Sequence, residues 1–274
     1  MSEQLKRLIL AISPKIKSNL NVELPEKTRK IVLDALDILF TPRDQLIPPL
    51  RLRHRLGNDF DYASAGLEWF KILKDMAELQ PNEKILDVGC GLGRMAVPLT
   101  RYLNAEGSYY GFDVVKEFID WCRGNISTEY HNFHFDLVNL KNPYYSRSGR
   151  AASKYVFSYP DGFFDVVFLA SIFTHLLPDD MENYLSEIHR VLTKGGRSLI
   201  TFFLLNNFSP NIFKKVTPIF STLDLKVSEK GIAYDEKYVL SLYMKNRLSI
   251  KDIKYGSWSG ASSGWYQDII LAIK

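Results

Sequence analysis

Short apolar runs alternate with segments of helical periodicity along most of the chain. The predicted strands lie at residues 84–88, 107–113, 133–135, 164–170, 198–205, 250–258 and 266–273. After the first run, apolar residues recur at helical spacing from Met95 to Leu103. Buried strands that alternate with amphipathic helices are typical of a doubly wound sheet of mostly parallel strands. We therefore predict the α/β class.

Two later helices have recognisable boundaries. Asp179-x-x-Glu182 is a capping box, which predicts the start of one helix, and Gly195-Gly196 predicts its end. Apolar spacing predicts a second helix over residues 234–247.

The pattern divides the chain into an N-terminal helical extension, residues 1–64, and a core domain, residues 65–274. Segments 141–160 and 206–231 lack strong periodicity and are predicted to be insertions in that domain, the second on the substrate side. A basic cluster at 51–57 is either a connector or a lid over the site. Four residues are candidates to reach inward from such a lid: Arg53, Arg55, Asp59 and Tyr62.

Composition narrows the possible functions. Apolar residues make up 46% of the 274 residues, enough for a substantial core, and the net charge of +4 is scattered. Nucleic acid is not an expected partner, because its binding usually needs a concentrated basic face. The apolar run 8–12 is too short to span a bilayer, so we expect a soluble, cytoplasmic protein without a membrane span.

Metal and disulfide chemistry are not expected either. Cys90 and Cys122 are the only cysteines, one in a glycine turn and the other in a predicted helix. His131, His134 and His189 lack the spacing of metal ligands, so no metal is predicted.

A glycine-rich turn follows the first strand. Asp87 lies within that strand, and Gly89, Gly91 and Gly93 alternate after it. Glycines let the backbone approach a ligand closely, and a strand–turn–helix unit is a common place for an anionic or nucleotide ligand. A dinucleotide fingerprint would have glycine where this chain has Arg94.

The pattern acid-x-Gly-x-Gly-x-Gly resembles motif I of the class I S-adenosylmethionine-dependent methyltransferases. The run from Phe164 through Arg197 also resembles the core of that family. The resemblance implies a Rossmann-like, seven-stranded sheet with one antiparallel member. It implies S-adenosyl-L-methionine as cofactor and S-adenosyl-L-homocysteine as product. The residues expected to bind the cofactor are Asp87, Gly89, Cys90, Gly91, Gly93, Arg94, Asp113, Val114, Asn139, Leu140, Ala170 and Ser171.

Two of these residues have alternatives. Asp113 ends the second strand, where a carboxylate can accept both ribose hydroxyls, but it can also cap the helix that starts near Val115. Asn139 stands where the family usually has an aspartate for the adenine amine. An amide oxygen can accept from that amine, and Asp136 is the other candidate.

The catalytic candidate is His175, which follows the end of the fourth strand. A histidine there can take a proton from an acceptor, or it can cap or pack against the next helix. Four residues are candidates to line the acceptor pocket: Tyr234, Asp235, Trp258 and Tyr266. The tetrapeptide 142–145 superficially resembles an Asn-Pro-Pro-Tyr motif, but it follows the third strand and is interpreted as loop.

The acceptor is expected to be a small molecule, through O-methylation of a metabolite, glycosyl or lipid-linked hydroxyl. The segment 170–175 lacks the proline-containing motifs of nucleic-acid methyltransferases. The alternatives are a protein side-chain methyltransferase and a non-catalytic, S-adenosylmethionine-binding partner subunit.

Overall fold

The computed structural model describes residues 46–56, 62–141, 149–262 and 264–274. The chain divides into one unit that ends at Tyr62 and a second from Ala63 to Lys274. In the first unit, the helix α1 (Leu50–Arg55) follows Pro49, whose backbone is extended. The Nε of Arg53 donates to the carbonyl oxygen of Pro48 at 2.8 Å. The predicted lid residues 57–61 lie outside the described residues.

The described part of the second unit contains eleven strands. They are β1 (Lys84–Val88), β2 (Ser108–Asp113), β3 (Phe133–Leu137), β4 (Phe164–Leu169), β5 (Leu192–Phe202), β6 (Leu204–Leu205), β7 (Lys214–Lys215), β8 (Phe220–Thr222), β9 (Ile232–Asp235), β10 (Ser249–Lys254) and β11 (Asp268–Ile273). The helices are α2 (Tyr62–Ala77), α3 (Ala96–Leu99), α4 (Lys116–Cys122), α5 (Pro178–Val191) and α6 (Glu236–Lys245).

Seven strands form the main sheet, in the order β10-β11-β5-β4-β1-β2-β3. Strands β1 to β5 are parallel, and β11 is antiparallel to both of its neighbours. The predicted fold class and the single antiparallel member are therefore confirmed. The described residues contain no helix that is long and apolar enough to cross a membrane.

Strand β1 lies in the middle of the sheet and is covered on both faces. Its side chains alternate, so Ile85 belongs to the apolar core that contains Leu73 of α2, while Leu86 belongs to the core that contains Leu185 of α5. Because both faces are buried, the strand is a continuous apolar run, and Asp87 is the polar exception within it.

A second, smaller sheet contains β6, β9, β8 and β7 in that order. Its strands flank and include the predicted insertion 206–231. The buried residues Phe203, Phe213, Ala233 and Trp258 pack together beside it. The predicted helix 234–247 starts too early. Its first two residues belong to strand β9, and helix α6 begins at Glu236.

Helix boundaries differ from the sequence prediction in two places. Helix α5 begins at Pro178 without a side-chain cap, and Glu182 pairs with Lys245 of α6 instead of completing a capping box. Proline at the first helical position lacks an N–H group, so one fewer donor needs capping there. The helix ends at Val191, and Gly195 and Gly196 lie within β5, where they exchange backbone hydrogen bonds with Lys274.

The helix predicted from Met95 to Leu103 is also shorter. Helix α3 covers Ala96–Leu99 only, with turns on either side. Pro98 has no N–H group with which to continue the helical hydrogen-bond pattern.

Candidate active site

The carboxyl ends of the five parallel strands meet at one edge of the main sheet, the usual ligand-binding edge of such folds. The glycine turn follows β1 at this edge. Gly89, Gly91 and Gly93 all have positive φ, at 78°, 53° and 71°. L-residues with side chains rarely adopt this conformation, which explains the glycines at alternate positions.

Neighbouring side chains also pack tightly against the turn. A Cβ atom on Gly89 would lie 2.2 Å from Cδ1 of Ile172, and one on Gly93 would lie 2.8 Å from Cδ1 of Ile126. The N–H groups of Gly89 and Cys90 both donate to the carbonyl oxygen of Phe112 in β2. The turn, which we call the cradle, is therefore fixed to β2 and to the loop after β4.

A contact that the sequence did not reveal supports the far end of the turn. A Cβ atom on Gly66 of α2 would lie 2.4 Å from the carbonyl oxygen of Arg94. Helix α2 therefore approaches the turn closely, because Gly66 has no side chain.

Asp87 is buried beneath the turn, with 1% of its surface exposed. The hydroxyl of Tyr109 donates to its Oδ2 at 2.6 Å. Burial raises the pKa of the Asp87 carboxyl to about 7, against the lowering effect of the Tyr109 hydrogen bond. Of the two nearby charges, Asp113 raises this pKa and Arg94 lowers it.

Asp113 ends β2 and binds the turn with its side chain. Its Oδ2 accepts from the N–H of Gly91, and its Oδ1 accepts from the N–H of Val115, both at 2.9 Å. Burial raises the pKa of Asp113, and these backbone donors lower it. Helix α4 has Val115 as its N-cap and no side-chain cap, so Asp113 binds the N–H group of the residue before the helix and does not cap the helix itself. An ionised carboxylate offers about four acceptor positions, and two are used here.

The two adenine candidates lie in and just after the third strand. Asn139 is exposed, and its carbonyl oxygen accepts from the N–H of Arg150. Asp136, the alternative, lies within β3, where it accepts from the hydroxyl of Tyr159 at 3.1 Å and lies 3.6 Å from Arg123. The side chain of Asp136 therefore already has two partners within the protein.

The end of β4 has an unusual backbone. Ser171 has a φ of 61°, although it is not glycine. Its N–H donates to Oγ1 of the buried Thr201 at 2.7 Å, and its hydroxyl donates to Oε1 of Gln267 at 3.0 Å. Strained residues of this kind cluster at functional sites, and their neighbours hold them in place. Neither Thr201 nor Gln267 was predicted.

His175 follows in a short 3₁₀ turn, Phe173–His175. Its Nδ1 lies 2.7 Å from the carbonyl oxygen of Glu229, in the insertion 206–231. A carbonyl oxygen can only accept, so Nδ1 carries the hydrogen and Nε2 of the neutral ring keeps its lone pair. This hydrogen bond joins the ring to the insertion 206–231.

The remaining predicted cofactor residues surround this edge. Cys90 and Leu140 are buried, while Val114 and Ala170 are partly buried and each packs against one of the two apolar cores. The tetrapeptide 142–145 lies outside the described residues. Among the described residues, no group of three or more His, Cys, Asp or Glu side chains could hold a metal ion.

Most of the acceptor-pocket candidates have structural partners. The Tyr234 hydroxyl donates to the carbonyl oxygen of Leu176, and Asp235 caps α6. The Trp258 indole donates to Asp268 at 2.7 Å. Tyr266 is exposed, with its ring edge-on to that of Phe203.

Asp268, which the sequence did not single out, is the buried centre of that region. Its oxygens also accept from the N–H groups of Leu204 and Gly256. Burial raises the pKa of the Asp268 carboxyl, and its three donors lower it.

Comparison with known proteins is consistent with this geometry. Residues 86–200 match the family model of a methyltransferase domain. Phosphoethanolamine N-methyltransferase 3 of Arabidopsis thaliana is 28% identical over 165 residues, 59% of this chain and 29% of that protein. A tRNA N(3)-cytidine methyltransferase of Gallus gallus is 27% identical over 136 residues, 48% of this chain and 33% of that protein. The chain thus spans about a third of the length of these relatives.

A solved structure shows the same fold. Phosphoethanolamine N-methyltransferase 2 of Haemonchus contortus, in complex with S-adenosyl-L-methionine, superposes with a TM-score of 0.58 at 15% identity. The match covers 81% of this chain and 56% of that chain.

The strand order and the glycine turn at the end of β1 define a Rossmann-like methyltransferase domain. The match of residues 86–200 to the methyltransferase-domain model, together with this fold, places that core among the class I S-adenosylmethionine-dependent methyltransferases, whose cofactor is S-adenosylmethionine. The family predicted from the glycine pattern is therefore confirmed.

Proposed function

We propose that this protein transfers a methyl group from S-adenosylmethionine to a hydroxyl group of a small organic acceptor. The acceptor is a metabolite, a glycosyl group or a lipid-linked group. The observation that carries the choice of a hydroxyl is the His175 ring, whose Nδ1 hydrogen bond to Glu229 leaves Nε2 as a proton acceptor. A base is useful only where the acceptor must lose a proton.

The cofactor part of the proposal uses the residues at the edge of the sheet. Gly89 and Gly93 let the cradle pack where a Cβ atom would collide with Ile172 or Ile126. Asp113 keeps acceptor positions for two ribose hydroxyls, and the exposed Asn139 can meet the adenine amine. When bound, S-adenosylmethionine supplies an electrophilic methyl group on a sulfonium.

For this reaction the protein mainly needs to align the acceptor with the methyl group. Holding the two reacting groups in line can lower a barrier by several kcal/mol, since it replaces an encounter in solution. His175 would then take the hydroxyl proton on Nε2 while the Glu229 carbonyl keeps the ring oriented.

Cofactor binding is tested by calorimetry with S-adenosylhomocysteine. Asp113→Ala should weaken binding by roughly 1.5–3 kcal/mol, the order expected for hydrogen bonds to a charged group. Asp120→Ala, an exposed carboxylate on α4, is the matched control and should bind normally. Because Asp113 also holds the turn, melting temperatures must be compared. Unchanged affinity in a folded Asp113→Ala protein would contradict the ribose role.

Catalysis is tested once the acceptor is known, from a product scan of cell extract with labelled cofactor. His175→Ala should slow a single turnover by ~10²–10⁴-fold with cofactor affinity nearly unchanged. His131→Ala, in an exposed turn, is the control and should keep the wild-type rate. A His175→Ala protein with a lowered melting temperature but a near-normal rate would make His175 structural.

The same scan separates the alternatives. Label in a protein side chain would support a protein methyltransferase, and label in RNA would contradict the expected small acceptor. S-adenosylhomocysteine binding without any labelled product would favour a partner subunit that has no turnover of its own.

A further inference from the structure

The insertion 206–231 exposes large apolar side chains among lysines. Five exposed apolar residues lie within 18 positions: Phe208, Ile212, Val216, Leu223 and Leu225. Phe208 is 86% exposed and Leu225 60%. We call these five residues, together with Lys214, Lys215 and Lys226, the insertion surface. Concentrated exposed apolar area of this kind marks a contact with another protein or with a membrane.

The insertion surface is supported by a folded base. Phe213 is buried against Phe203 and Trp258, with ring centroids 5.3 and 5.7 Å away, respectively. Strand β8 pairs with both β7 and β9. The exposed side chains therefore belong to a folded segment, in which Phe213 and Phe220 are buried.

The charge of the segment indicates what it contacts. Residues 206–231 contain four lysines and two acidic residues, a net charge of +2. Asp224 pairs with Lys230 within the segment. Lys214 and Lys215 are both exposed, next to the exposed Val216.

We propose that the insertion surface binds an anionic lipid bilayer at its interface. Apolar side chains that enter the headgroup boundary, combined with lysines that attract anionic lipid, are the usual composition of interfacial membrane binders. The cores of protein–protein interfaces are instead depleted in lysine and enriched in aromatic residues, Met and Arg. The insertion surface has three lysines, Phe208 as its one aromatic residue, and no Met or Arg, so lipid fits better than a protein partner.

The proposal is tested by flotation of the full-length protein with phosphatidylcholine vesicles, with and without phosphatidylserine. The protein should float with the phosphatidylserine vesicles and much less with phosphatidylcholine alone, and added salt should release it. Neither acceptor nor turnover is needed, so the result does not depend on the proposed reaction.

Variants separate the contribution of the apolar side chains to membrane binding from that of the lysines. Phe208→Ser should reduce partitioning into the vesicles by roughly 10-fold or more, since it removes the aromatic side chain that would enter the bilayer. The double variant Lys214→Gln/Lys215→Gln should reduce it by about 25-fold, at about fivefold per lysine. Met244→Ser is the matched control, because Met244 is 80% exposed on α6, outside the insertion surface.

All variants should bind S-adenosylhomocysteine as the wild-type protein does, which shows that they are folded. Protein that floats with neither kind of vesicle would overturn the proposal. So would a Phe208→Ser variant that floats like the wild type, or a Met244→Ser variant that loses flotation equally.

Discussion

Replacing Asp87 by asparagine should change how stability depends on pH. Asp87 is buried in the central strand beneath the glycine turn, with the Tyr109 hydroxyl as hydrogen-bond donor. Burial raises the pKa of its carboxyl from 3.8 to about 7. Asparagine has nearly the same shape, and its side-chain oxygen can still accept from Tyr109, but it has no charge to bury.

The sign and size follow from proton linkage. Between pH 4 and 7 the folded protein keeps a proton on Asp87 that the unfolded chain has released. The stabilisation is therefore fully present below pH 3.8 and is lost as the pH rises through about 7. From pH 5 to 8 the unfolding free energy of the wild type should fall by about 3 kcal/mol relative to that of Asp87→Asn, at ~1.4 kcal/mol for each pKa unit.

The asparagine also has a cost that does not depend on pH. Its buried amide N–H groups need partners, and leaving them unpaired costs about 1–3 kcal/mol. We therefore expect Asp87→Asn to be less stable than the wild type at pH 5. This difference in stability should shrink as the pH rises.

The assay is urea unfolding of both proteins at pH 5, 6, 7 and 8. Asp120→Asn, on the exposed side of α4, controls for the loss of one carboxylate. The difference in unfolding free energy between wild type and Asp87→Asn should shift by about 3 kcal/mol across this range. A difference that stays constant would refute a raised pKa for Asp87.

Two further predictions concern the cradle and the N-terminal segment. Gly89→Ala should lower the melting temperature and weaken S-adenosylhomocysteine binding at least ~10-fold, since its Cβ would collide with Ile172 and its φ is 78°. Gly124→Ala, where a Cβ meets nothing within 4 Å, is the calorimetric control and should bind normally. If residues 50–65 act as a lid, their hydrogen exchange should slow when S-adenosylhomocysteine is added. Unchanged exchange would leave the segment a connector.

The features that the sequence predicted well are local. The strand runs and the three alternating glycines each depend on neighbouring positions, so periodicity and spacing reveal them. The antiparallel β11 came from the family resemblance and not from the pattern. Helix boundaries were less accurate because they depend on single groups, such as the missing N–H of Pro98 and the Glu182–Lys245 ion pair.

The features that the sequence missed join distant parts of the chain. Gly66 packs against Arg94 only after α2 folds over the turn. Ser171 is held by Thr201 and Gln267, which come from two different strand ends. No spacing rule connects such pairs. An acid that begins an apolar run, as Asp268 does, is the one such feature visible in the sequence.

The partner of His175 shows why the insertion matters to the candidate site. The carbonyl group of Glu229 orients the ring, and a carbonyl leaves no signature in the sequence because every residue has one. Glu229 lies in the same insertion as the proposed lipid-binding surface, between Leu225 and strand β9. A bilayer that held Phe208 and Leu225 would thus contact the segment that holds the candidate base. If the acceptor is lipid-linked, vesicles that contain phosphatidylserine should raise the rate of single turnover in the wild type more than in Phe208→Ser. An equal effect on both proteins would show that membrane binding through Phe208 does not influence catalysis.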